Sequence, residues 1–199
     1  MNNYEYIVAS LPVLKPDART LAGDEASELI AEIRSQLSPA DTALLDTLLD
    51  SRRSECMTPE FYAGALKSPS RFLREYLAFD LELRNAKAAW LNRAFSRSAL
   101  QDVILLDEDG QIEPRPEIER VLSESDILAR ERGLDELCWT KIDELTVFDY
   151  FDADAILGFM AKLLIVDRWL KLDEQTGREL FRRLVEQMRQ DAPELKFEA

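Results

Sequence analysis

The chain has 199 residues, with 39 acidic side chains against 25 basic ones and a net charge of −14. That balance excludes a phosphate-binding face for nucleic acid, which needs concentrated lysine and arginine, and it excludes an anionic lipid surface on the same ground. Histidine is absent, which removes every Ser-His, Cys-His and His-metal arrangement at once.

The opening Tyr4 to Leu14 is apolar and punctuated by Pro12 and Pro16, so it reads as a short strand or a tucked-in extended segment. It lacks the basic start and long apolar run of a signal peptide. Helix signals dominate from there. Asp24 to Leu37 carries Leu29, Ile30, Ile33 and Leu37 on one helical stripe. Ser38-Pro39, Thr58-Pro59 and Ser68-Pro69 each offer a hydroxyl N-cap followed by a proline at the first helical position. Consecutive helices joined by tight turns are expected.

Pro69 to about Ser96 reads as one long helix. Phe72, Tyr76, Phe79, Leu83, Ala86 and Trp90 line one face, and Leu73, Leu77, Leu91 and Phe95 a second. Asp80, Arg84 and Lys87 fall inside this apolar arc, and Asp80 and Arg84 stand one turn apart. Val103 to Pro116 is the least regular stretch, a loop or a small hairpin arm around Asp107-Glu108-Asp109-Gly110. Glu117 to Ala129 and Asp135 to Leu145 read as further helices. Asp152 is placed to cap Ala153 to Leu170, a helix apolar nearly all round and therefore central to the core. Its most apolar part, Ala155 to Val166, is interrupted by Lys162 and falls short of the about 20 apolar residues that span a bilayer. Asp173 caps a last helix with the stripe Leu180, Phe181, Leu184, Val185 and Met188, and Asp191 to Ala199 should fray.

The expected fold is all-α, an antiparallel bundle of about seven to nine helices, with the short N-terminal strand or hairpin arm as an addition. It forms a single helical domain over residues 1–199, or two packed helical lobes divided near 100–116. Phe79-Asp80 and Phe151-Asp152, each with a tryptophan downstream, form a weak internal echo.

No catalytic, cofactor-binding or metal-ligating set emerges. There is no phosphate-cradling glycine loop. Asp107-x-Asp109-Gly110 imitates a calcium loop, but aligning Gly110 puts Leu105 and Pro116 where acidic ligands belong. Cys56 and Cys138 lack a CxxC neighbour and read as reduced thiols of a reducing compartment, with one disulfide as the alternative. Asp167 falls on the apolar face of its helix with Ile156, Met160 and Leu163. Buried charges are costly unless paired. Asp80, Arg84, Lys87 and Asp167 are therefore either an internal ion-pair network or a docking hot spot, with Lys87 or Arg84 as the expected partner of Asp167.

Phe79-Asp80-Leu81-Glu82-Leu83-Arg84-Asn85, with Ala88 and Arg93 beyond it, resembles the acidic-x-x-x-Arg-Asn helix of the C-type (or d-type) subunit family of V-type ATPases. Phe151-Asp152-Ala153-Asp154-Ala155-Ile156-Leu157-Gly158-Phe159, running on to Arg168-Trp169, resembles the helix that follows in that family. Tyr6-Ile7-Val8-Ala9-Ser10-Leu11-Pro12 resembles the start of short bacterial proteins encoded among V-type ATPase subunits. The resemblance implies a non-catalytic helical adaptor between the central stalk and the membrane proteolipid ring, cytoplasmic and peripheral to the membrane through its partner subunits, without inserting into it. It singles out Arg84 and Asn85 as structural positions. Full-length members carry three helical repeats and are considerably longer. The alternative from the residues alone is a free-standing acidic scaffold that binds a basic protein.

Overall fold

In the computed structural model the described residues are 4–16, 25–106, 114–171 and 182–183. They form eight α-helices and one 3-10 turn, and no strand. The helices are α1 (Glu5–Ser10), α2 (Glu25–Gln36), α3 (Pro39–Asp50), α4 (Pro59–Ala65), α5 (Arg71–Ala94), α6 (Pro116–Leu122), α7 (Ile127–Thr146) and α8 (Ala153–Lys171), with the 3-10 turn at Ser54–Cys56. The all-helical bundle agrees with the sequence expectation.

Local chemistry starts most of these helices. The Ser38 hydroxyl accepts from the Asp41 amide, and the Thr58 hydroxyl from the Phe61 amide, each with proline next in line. These contacts satisfy amides that the first turn leaves open. Asp126 accepts from the Leu128 and Ala129 amides, and Asp152 from the Ala155 amide.

Three expectations need correction. The N-terminal segment is helical, not extended, over Glu5–Ser10; this seats Ile7 in the core and lets the Tyr4 amide donate to the Phe151 carbonyl at 2.7 Å. α5 is capped by Ser70 rather than Ser68, because Ser70 accepts from Leu73 while also donating to Asp154 of α8. The helix expected over Glu117 to Ala129 breaks at Ser123, and Asp126 restarts it as α7, a longer element than Asp135 to Leu145. The turn at Asp107–Gly110, the helix after Asp173 and the tail from Asp191 lie outside the described residues.

α5, α7 and α8 pack against one another at the centre. α6 closes on α5 and α7, α4 lies on α5, and α2 and α3 lie on α8. One continuous hydrophobic cluster runs from Tyr4 and Ile7 through Phe72, Leu73, Tyr76 and Leu77 to Ile142, Met160 and Leu163. Each such side chain stabilises the fold by about 1.5–3 kcal/mol on burial. Phe72 and Tyr76 stack with centroids 5.3 Å apart. Phe95, at the end of the second face expected for α5, is exposed instead, while Leu81 and Asn92 are buried. Both cysteines are free thiols. Among the described residues no helix is long and apolar enough to cross a membrane.

Candidate functional site

Two regions of the surface carry more chemistry than the fold requires. The first is a charged cleft of about 440 Å³ where α5, α7 and α8 meet the segment after α3. Each helix supplies its wall by periodicity. On α7, Leu134, Cys138, Ile142 and Leu145 are buried at helical spacing, and the same stripe continues to Glu131 and Asp135 at the cleft. On α8, Leu164, Arg168 and Lys171 follow the same logic, with Asp167 beside them.

The candidate residues on α5 sit here. Asp80 is buried, and Arg84 Nε lies 2.6 Å from its Oδ2. The Tyr62 hydroxyl donates to the same oxygen at 2.8 Å. Arg84 Nη2 donates to the Ser51 carbonyl at 3.0 Å, and Nη1 lies 2.9 Å from the Met57 sulfur. Burial, with the Asp80 charge behind it, pushes the Tyr62 phenol well above its ordinary range. Asp80 and Arg84 thus form one internal network with α4 and the end of α3. Asn85 takes no part in it: its side-chain amide binds the backbone of Ile104.

The expected partner of Asp167 is a different residue. Asp167 pairs with Lys171 one turn further along α8 at 2.6 Å, while Lys87 reaches α7 and pairs with Glu131 at 2.5 Å. Lys171 is nearer to Asp167 in sequence and on the same face, so a local pair pre-empts the expected bridge to Lys87 or Arg84.

Arg52, Glu131, Asp135 and Arg168 were not anticipated from sequence. Asp135 accepts from Arg168 Nη2 and, at 2.7 Å, from the Trp169 indole. Burial raises its carboxyl above the usual range despite the Arg168 charge. Arg168 also lies 3.6 Å from Glu131, and its Nε is buried without a hydrogen-bond partner among the described residues. Arg52 donates to the Tyr76 hydroxyl at 3.0 Å. A signal for Arg52 exists in the sequence: Leu45, Leu48 and Arg52 share one helical stripe, so the arginine continues a buried face past the end of α3. Cys138, at the cleft floor, is pushed up to about 12 by burial and then by the Asp80 charge. Its thiol stays protonated at neutral pH and is a poor nucleophile. No group of three or more acidic, cysteine or histidine side chains suited to a metal ion occurs among the described residues.

The second region is the α7–α8 connection. Val147, Phe148, Tyr150 and Phe151 are all exposed, Phe148 at 80%. Residues 143–152 also carry Asp143, Glu144, Asp149 and Asp152 and no basic side chain. Burial and then the Asp152 charge raise the Asp149 carboxyl, although Arg71 lies 3.0 Å away. Three of these carboxylates face cations from elsewhere, Asp143 with Lys162, Glu144 with Lys141 and Asp149 with Arg71.

Residues 111–192 match the model of a family described as a protein of unknown function (DUF2764). The match takes in α6 to α8, hence two walls of the cleft and the whole aromatic connection. Asp80, Arg84, Asn85 and Lys87 lie outside it. No curated protein and no solved structure matches the chain.

This corrects the resemblance to the C-type subunits of V-type ATPases, since no family of that kind matches. The physical reason is in α5. The acidic-x-x-x-Arg-Asn pattern there is accounted for by a one-turn ion pair and a strap on Ile104. Any buried helix with the same neighbours could use it.

Proposed function

We propose that the chain is a non-catalytic helical adaptor, and that it docks a partner carrying a basic, apolar-faced segment on the α7–α8 connection. The observation that carries this reading is the exposure of Val147, Phe148, Tyr150 and Phe151 together in one connection. Contiguous exposed apolar surface marks interaction sites, and aromatic side chains are enriched at interfaces and among their hot spots. The exposed carboxylates of Asp143 and Glu144, although paired with Lys162 and Lys141, and that of Asp152 favour a cationic partner. The absence of histidine and the protonated state of the Cys138 thiol support a non-catalytic role.

For the setting, we propose the stalk of a V-type ATPase, with its central-stalk subunits and proteolipid ring as partners. What supports a subunit role of that kind is an all-helical chain with an exposed aromatic connection and no membrane-spanning helix among the described residues. The test is affinity purification of the full chain from native membranes in mild detergent, with a known ATPase component as control. Recovery of ATPase subunits by the parent, and loss of them with Phe148→Ser/Tyr150→Ser, is the expected result. Recovery of other proteins only, with the same dependence on Phe148 and Tyr150, keeps the adaptor and removes the ATPase setting. Equal recovery by parent and variant removes the docking surface.

A further inference from the structure

Among the described residues, the cleft on α5, α7 and α8 holds one more cation than carboxylate. Arg84 pairs with Asp80, Lys87 with Glu131, Arg168 with Asp135 and Lys171 with Asp167. Arg52 is the fifth cation, and no carboxylate among the described residues lies within ion-pair distance of it. Among the described residues its side chain has one hydrogen-bond partner, the neutral Tyr76 hydroxyl. Arg52 is half-buried and lines the cleft. A guanidinium presents five donors in a fixed fork, suited to two-point contact with a carboxylate or phosphate. One donor of the fork is on Tyr76 and the charges of Asp80 and Asp135 favour its charged form, so among the described residues its other donors are available to an anion in the cleft.

A second observation agrees. Arg168 Nε, also at the cleft, is a buried donor with no acceptor among the described residues. The open space, about 440 Å³, is of the size that holds small ligands rather than a single ion. Leu83, Leu134 and Leu164 give it apolar walls. An apolar groove formed by Ile127, Leu128 and Trp169 opens beside it and shares Glu131 and Arg168 with it.

We propose that this cleft binds a small molecule bearing a carboxylate or phosphate group, held at that group by the Arg52 guanidinium, with its apolar part along Leu134 and Leu164. The site is independent of the α7–α8 connection, so it stands or falls apart from the adaptor reading.

The experiment is calorimetric and thermal-shift titration of the full chain at low ionic strength. Inorganic phosphate and succinate serve as separate probes, and sodium chloride at matched ionic strength is the control. Saturable one-site binding of either probe, absent with chloride, is expected, and which probe binds distinguishes phosphate from carboxylate recognition. Arg52→Gln should weaken binding at least about tenfold, consistent with loss of a charge-assisted pair. Arg52→Lys, which keeps the charge without the fork, should fall between. If Arg52→Gln fails to fold, the Arg52 Nε–H resonance of the parent gives the same answer by moving on addition of the probe. Absence of saturable binding by both probes, an unmoved Arg52 resonance, or undiminished binding to folded Arg52→Gln overturns the proposal.

Discussion

Asn85 donates to the Ile104 carbonyl at 2.8 Å and accepts from the Ile104 amide at 2.9 Å. One side chain thus satisfies both backbone groups of a residue outside any helix and straps the chain after α5 back onto that helix. Asn85→Ala leaves both groups unpaired in a half-buried place. A loss of about 2 kcal/mol in a denaturant melt is expected. The Ile104 amide should exchange faster with solvent than its neighbours. Asn85→Asp keeps the acceptor and loses the donor, and should fall between. A parent-like melt for Asn85→Ala would show that the strap carries no stability.

Arg84 should matter more than Arg71. Removing one member of a buried pair strands the other, typically at about 3–5 kcal/mol. Arg84→Ala strands Asp80, whose side chain is only 7% exposed. Its cost should lie at the lower end of that range, because Tyr62 still donates to Asp80. Arg71 is exposed, but its guanidinium donates to the Leu145 carbonyl at 2.7 Å and reaches Asp149. Arg71→Ala should therefore cost roughly 1 kcal/mol rather than nothing. Equal melts for the two variants would contradict this order.

Gly158 holds α7 and α8 close. A methyl group there would meet Thr146 Cγ2 at 2.4 Å. Alanine should gain about 1 kcal/mol over glycine in a free helix. Here Gly158→Ala should instead destabilise by about 1–3 kcal/mol, the usual cost of overpacking. Adding Thr146→Ser removes the offending methyl and should restore most of the loss. A stabilised single variant would mean the helices part freely.

Cys138 predicts an alkaline dependence. Its folded pKa of about 12 lies above the ordinary 9.0, so the folded chain holds this proton more tightly than the unfolded one. The stability it contributes is fully present below pH 9.0 and is lost as pH rises toward about 12. Tyr62 and Tyr76, raised in the same direction by burial, add to the loss above their ordinary 10.0. Cys138→Ala should flatten the fall that begins near pH 9.0, by at most about 1.4 kcal/mol per pH unit. An identical pH profile for parent and variant would show that the thiol ionises equally in both states.

Helix content was readable because its causes are local. Ser38-Pro39, Thr58-Pro59 and Asp152 cap as written, since a cap needs only its next three residues. Ser68-Pro69 misled because the choice between Ser68 and Ser70 is made by Asp154, far along the chain. The Asp80–Arg84 pair was legible as a one-turn contact on a buried face. Lys87 with Glu131 was not, because the rotation of α7 against α5 decides which carboxylate arrives. The cleft as a whole escaped sequence reading for the same reason: three helices and the end of a fourth each give it one or a few charges, and no segment shows the surplus at Arg52.

The Asp154 carboxylate binds both the Ser70 hydroxyl, at 2.6 Å, and the Phe72 amide, at 3.1 Å. The N-terminal turn of α5 is therefore finished by a residue that the ribosome adds 82 positions after Phe72. Until then the longest described helix has only the local Ser70 cap, with the Phe72 amide open and no carboxylate against its partial positive charge. A nascent chain that stops before α8 thus presents α5 with a frayed start and an uncovered apolar face, the state in which chains aggregate or recruit chaperones. Completion of α8 supplies the Asp154 contact and the apolar cover in one event.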